Sequence, residues 1–258
     1  MFVIPCKFRS DIKGNSDPNV AAHTAAQAAS GNHSITDSMV FKCVESIRTF
    51  HPDEKILVVD SDSDDLTYLE HLEKIPNVIA ADAKNKNYLD GAIWYAVDKY
   101  PDEEWYCLLQ DSITIKHSFG EFINGPRPFY SLMWWKERIF AGTRQMLWLE
   151  DVFIDLKYSM CKDYEGSMTF IGCWGPCFLA KREILQKLKN NNLHLAASKV
   201  VNKFSAQASE RLWGLCLKCE NIDIIKDTID GDFLVIALPR NLFNSKTKYH
   251  KKLYGGRP

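Results

Sequence analysis

Asp111 closes an apolar run, CLLQDSITI (107–115), that reads as a buried strand, with a small hydroxyl, Ser112, beside it. A carboxylate at the point where a core strand emerges has its backbone fixed by the sheet. It therefore suits a hard cation such as Mg²⁺ or Mn²⁺, whose other ligands come from water and a substrate diphosphate. A turn or helix-capping aspartate would give the same pattern. Asp60 ends a second run, KILVVDSDSDD (55–65). As a calcium loop this stretch lacks the glycine and the distal glutamate of an EF-hand. Asp60 could instead accept hydrogen bonds from a nucleoside at the carboxyl end of its strand, or the whole stretch could be an acidic turn in which Asp64 or Asp65 caps a helix from Leu66. For proton transfer the candidate is Glu210 in SAQASERLWGLCLKC (205–219), read as a first-turn residue behind a Ser209 cap, a position that the helix dipole alone also favours. Glu150 and Asp151 in WLEDVF are its rivals. The cysteine pairs Cys173/Cys177 and Cys216/Cys219 have zinc-like spacing, but the second falls on the apolar face of an amphipathic helix with Leu212 and Leu215, so core thiols are the preferred reading. Trp174, between the first pair, is either an aromatic wall for a sugar or a core residue.

The elements that must position these groups alternate in the first half. FVIPC, KILVVD, NVIAAD and EWYCLLQDSITI read as strands. SMVFKCVESIRTF, stopped by His51-Pro52, and YLDGAIWYAVDKY, stopped by Pro101, carry apolar residues at helical spacing. Runs such as ILVV, apolar throughout, belong to a parallel sheet covered on both faces. The predicted class is α/β: an open mixed sheet with a Rossmann-like first half flanked by helices, binding its ligand at the carboxyl ends of its strands. Ser10–Asp37 reads as a long polar loop with a helical piece in VAAHTAAQAAS. The second half is less regular: PFYSLMWW, SMTFIGCWGPCFLA and DFLVIAL suggest strands, REILQKL and ERLWGLCLKC helices.

Taken in order, FVIPCKF, KILVVDSDSDD, NVIAADAKNKNYLDGAIWYAV and EWYCLLQDSITI resemble the nucleotide-sugar half of the GT-A glycosyltransferases, over about the first 120 residues and again in the closing segment. With its HKKLYGGRP ending, the compact chain is similar to the GT-A domains of chlorella-virus multidomain glycosyltransferases. The resemblance implies a single domain: a nucleotide-sugar half (1–120), an acceptor half (121–245) and a C-terminal lid (246–258). Donor contacts would come from Pro5, Cys6, Asp60, Lys86, Asp90, Gln110, Lys252 and Arg257, the metal ligands would be Asp111 and His250, and the catalytic carboxylate would be Glu210 or Asp151. Where the family has Asp-x-Asp this chain has Gln110-Asp111-Ser112, so one carboxylate is missing and His250 would have to complete the site, preferably with Mn²⁺.

A chain of 258 residues with net charge -1 does not advertise nucleic-acid binding, and no apolar run reaches the length of a membrane span. With no signal peptide read at the start, the expected setting is cytoplasmic, that of the host cell if the protein is viral. The expected function is a metal-dependent transferase moving a hexose, galactose by resemblance, from a UDP-sugar to a carbohydrate acceptor, with room for further domains of a longer polypeptide. A non-catalytic carbohydrate-binding or scaffold domain of the same fold, and a zinc-stabilised interaction module, are the alternatives. Lys246, Lys248, His250, Lys251, Lys252 and Arg257 concentrate positive charge in the tail, where a diphosphate could be gripped by a segment that orders on binding.

Overall fold

The computed structural model describes residues 1–7, 38–63, 65–84, 86–158, 167–232 and 247–252. The expected Ser10–Asp37 loop, the DFLVIAL strand beyond Asp232, and Arg257 lie outside the described residues, as does the side chain of Lys252.

In chain order the elements are β1 (Phe2–Cys6), α1 (Met39–Phe50), β2 (Ile56–Asp60), α2 (Thr67–Leu72), β3 (Val78–Ala81), α3 (Tyr88–Lys99), β4 (Trp105–Leu108), β5 (Ile113–Ile115), α4 (Gly120–Ile123), β6 (Phe129–Ser131), β7 (Trp134–Phe140), α5 (Arg144–Phe153), β8 (Ser167–Cys173), β9 (Phe178–Lys181), α6 (Arg182–Asn190), α7 (Leu193–Ala197), α8 (Lys203–Cys219) and β10 (His250–Lys252). The main sheet runs β3-β2-β1-β4-β9-β6. Its first four strands are parallel, and β9 is antiparallel to both β4 and β6. This is the expected α/β class.

Every residue of β1 and β2 is buried because both faces are covered. Val3, Leu57, Val59 and Leu108 face one layer, with α3 and α5–α8, while Phe2, Ile4, Ile56 and Val58 face the other, with α1 and α2. The period of two along each strand sorts these side chains into two cores. A two-stranded ribbon, β7 with β8, packs on α8. At Gly214 of α8 a Cβ would stand 1.7 Å from the Ile171 carbonyl oxygen, so only glycine lets the helix approach β8 this closely.

Several segments expected as single strands are divided. EWYCLLQDSITI breaks into β4 and β5 because a turn closes where the Ile113 amide donates to the Gln110 carbonyl at 3.0 Å. PFYSLMWW splits into β6 and β7, and SMTFIGCWGPCFLA into β8 and β9, the halves joining different sheets. An apolar run does not record which sheet each half pairs with.

Candidate functional site

The β1–β2 register extends to Cys6 opposite Asp60, whereas β1 and β4 pair only at Phe2 and Val3. From Ile4 onward a crevice therefore opens between β1 and β4, where chain order reverses about β1, the position at which open α/β sheets bind ligands. Pro5 sits where β1 no longer pairs with β4, so its missing N–H costs nothing on that side. Leu108 pairs with Phe178 and Ser131 with the same residue. The antiparallel strands thus bring the turn before β9 and the end of β6 to the rim holding Cys6, Asp60 and Gln110-Asp111.

That turn, Cys173-Trp174-Gly175-Pro176-Cys177, joins the candidates. The Gln110 side-chain amide donates to the Gly175 carbonyl at 3.4 Å. The Gly175 amide favours the charged form of Glu210 by hydrogen bonding to it. The Trp174 ring lies 6.1 Å from the ring of His250. Gly175 has φ +57°, which favours glycine, and a Cβ there would stand 2.2 Å from Gln110 Nε2, so the end of the glutamine side chain would have to move off the turn.

Glu210 is not a first-turn residue. Asn202 caps α8, in a reciprocal box with Ser205, and Glu210 falls two turns inside the helix. The dipole explanation for a glutamate here is therefore removed. Burial pushes its carboxyl up to about 7, with Asp90 adding to the rise, against the lowering effects of Arg211, the Gly175 amide and Trp135. A carboxyl held near neutrality against the 173–177 turn is in the condition that a general acid or base needs.

His250 is fully buried in β10, opposite Ile115 of β5. Its Nδ1 lies 2.5 Å from Asp230 Oδ2. An ionised carboxylate only accepts, so Nδ1 donates and Nε2 is the atom a cation would take. Asp230 also accepts from the backbone amides of Lys248 and Tyr249, at 2.7 and 3.1 Å, and so holds the whole strand in place. Sequence reasoning missed Asp230; a carboxylate before a glycine in TIDGDF reads as a plain turn. Asp111 is buried beside Ser112. Among the described residues no group of three or more His, Cys, Asp and Glu side chains is gathered to hold a metal. Asp111 and His250 each carry a donor atom that a divalent cation takes, and the register sets His250 opposite Ile115, four residues along from Asp111.

The other expected residues are distributed as follows. Asp60 is buried at the rim, its oxygens accepting from Tyr68 Oη at 2.9 Å and the Ser63 amide at 3.1 Å. Cys6 is buried beside it, and its carbonyl accepts from the Ser61 amide at 2.7 Å. Asp65 accepts from the Thr67 amide and hydroxyl in a local turn ahead of α2, whose N-cap is Leu66 with no side-chain cap; Asp64, the other capping candidate, lies outside the described residues. Asp90 is turned inward, accepting from Ser209 Oγ at 2.6 Å and Trp213 Nε1 at 2.7 Å, and burial raises its pKa. It ties α3 to α8 next to Glu210. Lys86 is exposed. Asp151 is not brought to the turn: it lies on the outer side of α5 and pairs with Lys199 at 2.9 Å. The cysteines argue against a zinc module, since Cys216 is wholly in the core and the Cys173 and Cys177 thiols reach the carbonyls of Cys177 and Gly175 at 3.3 and 3.2 Å. The expected tail lid meets a different arrangement over 247–252, a strand already docked on β5 with Tyr249 packed against Phe119 and Phe122.

No protein-family model matches the chain, and no curated protein matches it either. Among solved structures, that of CMP:2-keto-3-deoxy-manno-octonic acid synthetase complexed with CTP is similar over 86% of both chains, at 14% identity and a TM-score of 0.40. Likeness at that level leaves function to the residues themselves.

Proposed function

We propose that this protein is a metal-dependent glycosyltransferase that uses a nucleoside-diphosphate sugar, with UDP-hexose as the donor class and a carbohydrate as acceptor. The observation that carries the reading is the 173–177 turn, which connects Gln110 to Glu210 and brings Trp174 against His250. Asp60 ends β2 and Asp111 lies three residues beyond β4, the two strands that flank β1 and whose axes stand roughly 10 Å apart at the usual strand spacing. A nucleoside would lie at the first and a diphosphate at the second. A Mn²⁺ or Mg²⁺ ion, held by Asp111 and Nε2 of His250, would neutralise charge on the departing diphosphate. Trp174 offers a face for a sugar, Gln110 orients the turn, and Glu210 takes the acceptor's hydroxyl proton. Galactose as the sugar, and a viral source, rest on the family resemblance alone.

The test is UDP release from a panel of UDP-sugars with Mn²⁺ and after chelation, for the wild type and Asp111→Ala. Metal-dependent release that disappears in the variant, whose thermal melt stays unchanged, is the expected result. Tight carbohydrate binding with no release from any donor would instead establish the non-catalytic alternative.

A further inference from the structure

We infer that the edge formed by the end of β7 and the starts of α5 and α8 docks on an anionic lipid surface. Four large apolar side chains stand out from it: Phe140, 58% exposed, Leu147, 54%, Val201, 62%, and Phe204, 51%. Contacts along the edge make it continuous. The Arg138 guanidinium lies over the Phe140 ring at 5.3 Å, and the Thr143 amide donates to the Phe140 carbonyl. The Arg144 guanidinium lies over the Phe204 ring at 5.4 Å, and the side chains of Gln145 and Gln207 join the two helix starts at 3.3 Å. Leu147 is one turn after Arg144, and Val201 immediately precedes the α8 cap.

Charge selects the occupant. Arg138, Arg144, Lys136 and Lys203 are all exposed here. Of the nearby carboxylates, Glu137 is engaged by Arg211 and both Asp151 and Asp155 by Lys199, which leaves Glu150, one turn beyond Leu147, against four basic side chains. The edge therefore presents net positive charge around exposed rings and aliphatic groups. A nucleic acid would match the charge but leave Leu147 and Val201 in water. Lipid headgroups with acyl chains beneath them satisfy both features, as in interfacial anchors where basic stems lie along apolar groups. No helix among the described residues is long and apolar enough to cross a membrane, so the contact would be peripheral. Phe204 precedes Glu210 by six residues of helix, about 9 Å.

The experiment is cosedimentation of the full chain with phosphatidylcholine vesicles and with vesicles that also contain phosphatidylserine. Expected is binding to the anionic vesicles only, weakened by salt. Arg138→Gln with Arg144→Gln should lower affinity about fivefold per charge, and Phe140→Ser with Phe204→Ser roughly tenfold together. All four side chains are exposed, so melting temperatures serve as a folding control for both pairs. Equal binding to neutral and anionic vesicles, binding to neither, or binding unchanged in both pairs would overturn the proposal. So would a concentration-dependent dimer in lipid-free buffer that the Phe pair abolishes, which would make the edge a contact between copies of this chain. Vesicle binding is independent of turnover, so the outcome stands whatever the donor screen gives.

Discussion

Glu210 is held ionisable near neutrality by burial, and that cost to stability is what its chemistry needs. A carboxyl whose folded pKa is raised makes the fold more stable below its unfolded value, and that advantage is lost as pH rises through the folded one. Glu210→Gln should therefore lower the transfer rate roughly 10² to 10⁴-fold while raising the melting temperature at pH 8. Equal rates for variant and wild type would move the base elsewhere. In the wild type, turnover should rise with pH through about 7, where the carboxylate forms; a pH profile of kcat/KM reads this directly. Gly175→Ala forces a side chain into a left-handed backbone and onto Gln110. Its expected cost is about 1 kcal/mol or more in a denaturant melt, together with loss of turnover.

Among the elements, β10 is the one whose placement changes an expectation. A frayed lid would be dispensable for the unliganded fold, but this strand pairs with β5, buries His250 and packs Tyr249 among aromatic rings. Removing residues 247–258 should lower the melting temperature without any ligand present as well as eliminating transfer. Retention of the full melting temperature would restore the lid. Asp230→Asn tests the strand's anchor more narrowly: weakening of Mn²⁺ affinity by about 10 to 100-fold, measured by calorimetry in the presence of UDP, is expected for loss of the carboxylate behind a metal-binding imidazole.

Across the whole molecule, acid stability should be governed in part by His51, which links the end of α1 to β1 and the segment before α4. Its Nε2 accepts from the Phe119 amide at 2.9 Å, and its ring packs against Phe2 at 5.0 Å. Burial lowers its pKa below the usual histidine value. Because the folded pKa is depressed, its contribution is complete above about 6.5 and is lost as pH falls through the folded value. Urea melts from pH 8 to pH 5 should show stability falling once the pH drops below about 6.5. The decline should be flatter in His51→Gln; identical slopes would assign the acid sensitivity to other groups.

What the sequence determined by itself is local and periodic. The continuous apolar runs of β1 and β2, the helical spacing of α1 and α3, and the carboxylates at strand ends all follow from patterns within a few residues of each other. The turn at Gly175 was not legible, because SMTFIGCWGPCFLA reads as one apolar strand and only its two halves' different partners reveal the break. Only the tertiary structure decided which residues meet. Asp151 and Glu210 look alike as acidic residues on helices, yet one pairs with Lys199 at the surface and the other is buried against the Gly175 turn. Asp90 was read as a donor contact and ties α3 to α8; Asp230, silent in the sequence, faces His250. The reason is physical: burial and long-range pairing set what a carboxylate does, and both depend on chain segments brought together from far apart, here by antiparallel β9 and β10 whose partners no local pattern encodes.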